Sequence, residues 1–205
     1  MKKKIGIMGG TFDPIHMGHL ILGEAAYEEF GLDKVRFLPA GRPPHKRERD
    51  GRATNEQRVA MVRDAIAGND HFELSMDEMN AEGLSYTYLT LERFLAQNPE
   101  EELYFIIGAD SLFDFEKWKN PDRICALCTL IVATRNQTSD EDLDRHIAYL
   151  QDKYHGVFLK LGTPDLDIAS NKLRQWVHDG KSIRYYVPDA VRCYIEENHI
   201  YKGSM

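Results

Sequence analysis

The sequence is poor in the features that mark secreted or membrane-spanning chains. Only three cysteines occur in 205 residues, too few for a disulfide framework and typical of a reducing compartment. No stretch approaches the roughly 18 apolar residues that a membrane span needs. The basic start at 1–4 lacks the apolar run of a signal peptide, because Gly6, Gly9 and Gly10 interrupt it. We therefore expect a cytoplasmic protein with no membrane partner.

Positive charge is also in short supply. The 33 acidic residues outnumber the 26 basic ones, so the formal net charge is −7. A general nucleic-acid binder must neutralise many phosphates, and this balance argues against such a partner. A small anionic ligand remains compatible, because a local cluster of cations can act against the net charge. With 42% hydrophobic and 29% charged residues, the composition is that of an ordinary globular chain.

Short apolar runs alternate with longer amphipathic segments along the chain. The predicted strands are 4–8, 35–39, 72–74, 103–107, 130–133 and 157–161. The predicted helices are 18–30, 54 through at least 66, 87–97, 121–127, 139–154, 170–179 and 188–198. Thr54, Ser139 and Ser170 are their predicted N-caps, Gly31 ends the first helix, and Pro188 suits the first turn of the last.

This alternation predicts the fold class. Strand–helix order with near-continuous apolar strands favours an α/β fold, a Rossmann-like doubly wound parallel sheet with helices on both faces. We expect one domain over residues 1–205, with the C-terminal helices of about 168–205 packing on the sheet. Ligands of such sheets bind beyond the carboxyl ends of the strands, so chemistry is expected just after each strand.

The segment from Gly9 to His19 reads GGTFDPIHMGH and joins the first predicted strand to the first predicted helix. Gly9 and Gly10 let the backbone approach a ligand with no Cβ in the way. His16 and His19 lie three residues apart, so both can face one ligand at a helix N-terminus, where N–H groups favour anions. A phosphate site is the preferred interpretation, and a tight turn with two surface histidines stays open. Zinc is less favoured because two histidines lack the remaining ligands, and the order matches neither G-x-G-x-x-G nor the P-loop.

Several segments together resemble one family. The sequence GGTFDPIHMGHL at 9–20 resembles the first signature of the nucleotidyltransferases with the H-x-G-H motif, and is more closely similar to nicotinate-nucleotide adenylyltransferases. The further matches are Pro43–Lys46, Ser85–Thr87, Gly108–Ser111 leading to Trp118 and Pro121, and Ile168–Arg174. The likeness covers the whole chain. The first motif is specific for the superfamily, and the set is specific for the family.

The resemblance implies adenylyl transfer from ATP to nicotinic acid mononucleotide, which gives nicotinic acid adenine dinucleotide and pyrophosphate in NAD biosynthesis. It implies catalytic roles for His16, His19 and Arg174. The ATP-binding residues that it implies are Gly9, Gly10, Thr11, Phe12, His16, His19, Gly108, Asp110, Ile168, Ser170 and Arg174. The substrate-binding residues that it implies are Lys46, Thr87, Asp110, Trp118 and Arg135. Mg²⁺ would be held mainly by substrate phosphates and water, with no protein residue as its ligand, and the enzyme would be a monomer or a homo-oligomer.

Three of these residues also have a simpler interpretation. Asp110 follows the most apolar strand, where a carboxylate suits ribose hydroxyls, but it can equally cap a helix. Trp118 offers a flat face to a pyridine ring or packs in the core. Thr87 presents a helix-start N–H to a carboxylate or serves as a plain N-cap.

The last motif departs from the family pattern. The family shows I-S-S-T-x-I-R where this chain reads IASNKLR, so Ser170 and Arg174 match while Ala169 and Asn171 do not. Ser170 as an N-cap and Arg174 one turn later still suit a phosphate. The departure leaves the role of Asn171 open.

Two other features receive a structural interpretation. The stretch Gly41–Arg52 is dense in charge, and we interpret its charges as solvated, except that Lys46 matches a substrate-phosphate position of the family. Cys125 and Cys128 form a C-x-x-C pair without a second pair, so packing is favoured over redox or metal chemistry.

Two alternative functions stay open. Another adenylyltransferase of the superfamily, such as the phosphopantetheine enzyme, is the nearer one, although Trp118 and the Pro43–Lys46 loop favour the pyridine nucleotide. The other is a non-catalytic nucleotide-binding or sensor protein on the same fold, since a fold does not determine function.

Overall fold

The computed structural model describes residues 2–41, 51–81, 83, 85–134, 140–164 and 166–203. Lys46 and Arg135, both assigned to the substrate by the resemblance, lie outside these residues, as do Ser139 and most of the 41–52 loop. Among the helices of the described ranges, none combines the length and apolar character that a membrane crossing requires.

The strands lie where the apolar runs predict them. They are β1 Lys3–Gly10, β2 Lys34–Pro39, β3 Phe72–Leu74, β4 Glu101–Gly108, β5 Cys128–Thr134 and β6 Phe158–Gly162. Most exceed the prediction by one or two residues at an end, because polar or glycine residues there still belong to the strand. The interiors of β4 and β5 are buried throughout, as expected for strands covered on both faces.

The helices also follow the predicted pattern. They are α1 Met17–Phe30, α2 Asn55–Ile66, α3 Asp77–Asn80, α4 Thr87–Gln97, α5 Ala109–Phe113, α6 Pro121–Leu127, α7 Asp140–Tyr154, α8 Ser170–His178 and α9 Asp189–Glu197. A 3₁₀ turn lies at Phe115–Lys117. The short α3, α5 and this turn were not predicted, since so few residues carry no readable periodicity.

The strand order confirms the predicted fold class. The sheet reads β3-β2-β1-β4-β5-β6, the doubly wound order in which the chain moves outward from β1 in both directions. The pairs β1–β4, β4–β5 and β5–β6 are parallel, with Ile7 opposite Phe105 and Phe105 opposite Leu130.

The chain divides into two compact units, each built from three segments. Unit 1 is Met1–Gly9, Leu22–Arg36 and Tyr86–Leu166, and holds β4–β6 with α4–α7. Unit 2 is Gly10–Ile21, Phe37–Ser85 and Asp167–Met205, where α2 packs against α9. The single domain over 1–205 and the packing of its C-terminal helices on the sheet stay predictions.

The helix ends confirm some of the predicted caps and correct others. The capping box is confirmed, because Thr54 Oγ1 accepts from the Gln57 N–H and the Gln57 side chain accepts from the Thr54 N–H. Ser170 was wrongly predicted as an N-cap. The extended residue before α8 is Ala169, and Ser170 is the first helical residue, since a tertiary contact of its hydroxyl competes with capping. Pro188 likewise is the N-cap of α9 rather than part of its first turn.

Candidate active site

The last residue of β1 and the loop that follows it, residues 10–16, are built around a buried aromatic ring. Phe12 is buried with a positive φ of 50°, and a Cβ added to Gly10 would lie 3.1 Å from that ring. The Gly10 carbonyl accepts a hydrogen bond from the Ala40 N–H at 2.8 Å. The glycine therefore lets the backbone pass directly over the ring.

The two histidines of the motif form a stacked pair. Their ring centroids are 3.7 Å apart with an interplanar angle of 29°, and the His16 N–H donates to His19 Nδ1 at 3.2 Å. Because Nδ1 accepts, the neutral His19 ring carries its proton on Nε2, the form that donates to an anionic oxygen. The Phe12 and His19 rings also form a T-shaped pair, with their centroids 5.0 Å apart. The structure thus places the two rings side by side, and their action on one ligand stays a prediction.

Gly18 makes room for this pair. A Cβ at Gly18 would lie 3.1 Å from Nδ1 and 3.2 Å from Cε1 of His16, which is closer than ordinary van der Waals contact. The glycine between the two histidines thus has a packing reason that the spacing alone did not show.

The start of α1 offers fewer donors than the sequence suggested. The Met17 N–H, the first of the helix, donates to the Tyr186 carbonyl at 2.8 Å, and the His19 N–H donates to the His16 carbonyl at 2.9 Å. A tertiary contact thus occupies one of the first-turn N–H groups that helix geometry leaves open. A ligand at this loop would therefore depend more on side-chain donors than on the helix end.

A buried carboxylate, Asp13, lies at the centre of the loop. It is only 2% exposed. Its Oδ1 accepts from the Tyr201 hydroxyl at 2.7 Å and from the Ala53 N–H at 3.2 Å, and its Oδ2 accepts from Arg52 Nη1 at 3.2 Å. The interpretation of Arg52 as a solvated loop charge was wrong, because a buried carboxylate requires cationic partners.

Two further arginines hold the backbone of the same loop. Arg174 Nη1 donates to the Asp13 carbonyl at 2.6 Å and lies 3.6 Å from Asp13 Oδ2. Arg58, on the buried face of α2, donates to the Thr11 carbonyl at 2.6 Å and to the Ala40 carbonyl at 2.8 Å.

The last motif contributes a second contact beside that of Arg174, because the Ser170 hydroxyl donates to the Pro14 carbonyl at 3.0 Å. The two residues that match the last motif therefore touch the first motif directly.

Burial and charge act in opposite directions on these groups. Burial lowers the pKa of the Arg58 and Arg174 guanidinium groups, and Asp13 raises it again. Burial, with Asp13 alongside, raises the pKa of the Tyr201 phenol well above its usual value. Because an arginine pKa starts far above neutrality, the arginines stay charged at pH 7, and the tyrosine stays a hydrogen-bond donor.

Ile168 and Asn171 of the last motif lie outside the Asp13 cluster, which comprises Asp13, Arg52, Arg58, Arg174 and Tyr201. Ile168 is half-buried, and its Cβ is 3.9 Å from the position of a Cβ at Gly18. Asn171 is exposed, and its side-chain oxygen accepts from the Lys172 N–H at 2.9 Å. The amide at 171 therefore serves its own helix start, and Ser170 and Arg174 carry the contacts with the loop.

Other predicted residues lie in unit 1. Gly108 is the N-cap of α5, and Asp110 is exposed in its first turn. Thr87 is the first residue of α4, whose N-cap Tyr86 makes no side-chain capping bond. Trp118 is half-buried. Its ring centroid lies 6.1 Å from that of Phe105 and 5.6 Å from that of Phe115.

Gly9 belongs to the end of β1, where an added Cβ would lie 3.2 Å from the Phe105 ring.

Asp110 and Thr87 are not N-caps, because Gly108 and Tyr86 take those positions. Part of the Trp118 side chain contacts the Phe105 and Phe115 rings, and the rest is exposed.

The cysteines behave as packing residues. Cys125 and Cys128 are buried thiols at the end of α6 and the start of β5. Burial raises the pKa of Cys125 to about 11 and that of Cys128 further, so neither forms a reactive thiolate near neutrality. Within the described part of the chain, no group of three or more His, Cys, Asp or Glu side chains is placed to hold a metal ion.

Sequence reasoning missed four residues of this cluster, namely Asp13, Arg52, Arg58 and Tyr201. A signal existed for Arg58, a charge within the otherwise apolar stripe of α2. Asp13 lies inside the motif but was given no role. Nothing in the local sequence marks Tyr201, since its contact spans 188 residues.

Comparison with known proteins identifies relatives over nearly the full length. The profile of the family described as cytidylyltransferase-like matches residues 7–176. A protein of Lachnoclostridium phytofermentans is 41% identical over 199 residues, covering 97% of this chain and 99% of the relative. One of Moorella thermoacetica is 42% identical over 205 residues, covering 98% and 93%. Both are named "probable nicotinate-nucleotide adenylyltransferase".

Solved structures match the fold. The nicotinic acid mononucleotide adenylyltransferase of Plasmodium falciparum superposes with a TM-score of 0.76 when complexed with APC and 0.78 when complexed with NaAD. Each comparison covers 98% of both chains at 18% sequence identity. At that identity the likeness shows a shared fold.

Proposed function

Because this chain belongs to the nicotinate-nucleotide adenylyltransferases, we propose that it transfers the adenylyl group of ATP to nicotinic acid mononucleotide. The products are nicotinic acid adenine dinucleotide and pyrophosphate. One observation carries the proposal beyond family membership: the single segment 10–16 holds both His19, through the His16 N–H, and the Arg174 guanidinium, through the Asp13 carbonyl.

The reaction requires no covalent intermediate with the protein. An oxygen of the mononucleotide 5′-phosphate attacks the α-phosphorus of ATP, and the bond from that phosphorus to the β-phosphate oxygen breaks. The nucleophile is already an anion, so no protein base is needed. Catalysis is then positioning together with stabilisation of charge on the phosphates.

The residues of the loop suit the ATP phosphates. We assign His16, His19 and the amides around Gly10 and Thr11 to the α- and β-phosphates, with Phe12 supporting that backbone. We assign Ser170 and Arg174 to the departing pyrophosphate, whose growing charge a guanidinium matches with paired donors. Ile168, Gly9, Gly108 and Asp110 complete the proposed ATP-binding set.

The mononucleotide calls for a second set of residues. We assign the ring to Trp118, which keeps part of its surface exposed, and the ring carboxylate to the N–H groups at the start of α4 near Thr87. Asp110 suits a ribose hydroxyl. Lys46 and Arg135 remain assigned to the substrate by resemblance alone.

The residues present do not fit a protein-held metal ion. The described cluster is cationic, and its one buried carboxylate already accepts from Arg52 and Tyr201. We propose that Mg²⁺ accompanies the nucleotide on its phosphates and on water, as its reluctance to dehydrate favours.

Cellular setting and organisation complete the proposal. We propose that residues 1–205 work as one domain, as a monomer or a homo-oligomer, in the cytoplasm. Cys125, Cys128 and Cys193 are free thiols, which suits a reducing compartment.

Pyrophosphate release tests the function directly. The purified chain is mixed with ATP and Mg²⁺, together with nicotinic acid mononucleotide, phosphopantetheine or no acceptor. We expect pyrophosphate and the dinucleotide only with the mononucleotide. Release with phosphopantetheine would identify the other adenylyltransferase instead, and ATP binding without release under any condition would favour a sensor.

A further inference from the structure

Asp13 is the point where distant parts of unit 2 meet. Its carboxylate is almost completely buried and accepts hydrogen bonds from Arg52, the Ala53 N–H and the Tyr201 hydroxyl. Its carbonyl accepts from Arg174, whose Nη1 also lies 3.6 Å from the carboxylate atom Asp13 Oδ2. The same residue thus joins a proposed catalytic arginine to three groups that the proposed mechanism does not use.

Tyr201 reaches this carboxylate through a specified backbone. It follows α9, and both His199 and Tyr201 adopt positive φ angles, 52° and 65°. Residues other than glycine seldom adopt this conformation unless the surrounding structure maintains it. Here Ile200 and Tyr201 are 5% and 3% exposed, so their burial keeps the turn and directs the hydroxyl to Asp13 Oδ1 at 2.7 Å.

The helices behind the loop support it at a second point. α9 leads directly into the Tyr201 turn and packs against α2, and α2 carries Arg58, which donates to the Thr11 carbonyl. This helix pair therefore contacts the loop on both sides of Phe12, through Arg58 at Thr11 and through Tyr201 at Asp13.

We propose that Tyr201 is a positioning residue for adenylyl transfer, because its hydroxyl sets the Asp13 carboxylate, which in turn orients the Arg174 guanidinium toward the ATP phosphates. The inference rests on the proposed function for its kinetic consequence. The hydroxyl does not touch substrate. It holds the Asp13 carboxylate in one orientation. Without this bond the carboxylate can rotate and change the positions of the Arg174 and Arg52 guanidinium groups.

The test compares two tyrosines that each donate to a carboxylate. Tyr201→Phe removes the hydroxyl that binds Asp13, and Tyr104→Phe removes the hydroxyl that binds Glu102 Oε1 at 2.8 Å on β4. Pyrophosphate release is measured for both against ATP and against the mononucleotide, with thermal melting to confirm folding. We expect Tyr201→Phe to lower kcat roughly tenfold to a hundredfold, with the KM for the mononucleotide nearly unchanged, as for loss of one bond to a buried charged group. We expect Tyr104→Phe to stay within about twofold of the native chain.

A double-mutant cycle separates positioning from general support. If Tyr201 acts through Asp13 on Arg174, Tyr201→Phe has little further effect on kcat once Arg174→Lys is present. Arg52→Gln, which removes the other side-chain donor from a partly exposed position, should lower kcat in the same direction and serves if Tyr201→Phe does not fold.

The guanidinium resonances of Arg174, followed by ¹⁵N NMR in the ligand-free chain, give a readout that needs no activity. We expect Tyr201→Phe to shift them and speed their hydrogen exchange, whereas Tyr104→Phe leaves them in place. Folded Tyr201→Phe with native kcat, or with an effect that simply adds to Arg174→Lys, overturns the inference. If the native chain releases no pyrophosphate, the proposed function fails, and the Arg174 resonances alone then decide whether Tyr201 positions it.

Discussion

The backbone N–H of His16 donates to Nδ1 of His19 at 3.2 Å, while the two rings stack at 3.7 Å. This bond places the proton of the neutral His19 ring on Nε2. One histidine of the motif thus sets the tautomer of the other.

His19→Ala should lower turnover by roughly 10²–10³-fold, the usual cost of removing one preorganised donor from a charge-stabilising site. The protein should remain folded, because the half-buried ring is not part of the central core. Pyrophosphate release under saturating ATP measures the loss, and circular dichroism checks the fold. Near-normal turnover of the folded variant would remove His19 from the catalytic group.

Gly18→Ala separates stability from activity. Alanine favours a helix by up to about 1 kcal/mol over glycine, but its Cβ would press on the His16 ring at 3.1 Å. We expect a small net change in melting temperature and a clear fall in kcat, because the His16 ring must shift from its stacked position beside His19. Gly162→Ala is the control, since an added Cβ there meets nothing within 4 Å. Native kcat in Gly18→Ala would show that the ring position is not critical.

Arg174→Lys should impair the ATP side of the reaction. A lysine has no planar fork, so its single ammonium cannot present paired donors to a phosphate while it keeps the bond to the Asp13 carbonyl. Losing one charge-assisted bond of about 1.5–3 kcal/mol lowers kcat/KM for ATP by roughly tenfold to a hundredfold.

The affinity for the mononucleotide should barely change in Arg174→Lys. Arg145→Lys, on the exposed surface of α7, serves as the matched control. A variant at 174 that weakens only the mononucleotide would assign this arginine to the other substrate.

The acid mononucleotide should be a better substrate than its amide. N–H donors at the start of α4 suit a carboxylate, whereas the amide NH₂ would face them without an acceptor. Mispaired buried donors cost about 1–3 kcal/mol each, so two of them imply a preference of roughly thirtyfold to tens of thousandfold. The measurement is kcat/KM for both mononucleotides at saturating ATP and Mg²⁺, and equal values would contradict recognition by the backbone.

Trp118→Ala should weaken both mononucleotides alike, because ring stacking does not sense the carboxylate. Phe113→Ala, an exposed aromatic residue of the neighbouring α5, is the control and should affect neither. Loss of the acid substrate alone would mean that Trp118 reads the carboxylate rather than the ring.

The helices and strands could be predicted because their signals are local. The capping box of Thr54 and Gln57, Gly31 after α1, and the apolar runs of β4 and β5 each act over a few residues. The short α3 and α5 could not be predicted, since four or five residues contain no full hydrophobic repeat.

The sequence by itself determined the α/β order and the H-x-G-H spacing of the first motif, because periodicity, caps and motif spacing are properties of neighbouring residues. Only the tertiary structure decided what that motif rests on. The Ser170 hydroxyl donates to the Pro14 carbonyl instead of capping its helix. Arg52 donates to the Asp13 carboxylate, and so does Tyr201, which is 188 residues away in sequence. The physical reason is that a buried charge must find its partners wherever the folded chain supplies them, and that choice has no local signature.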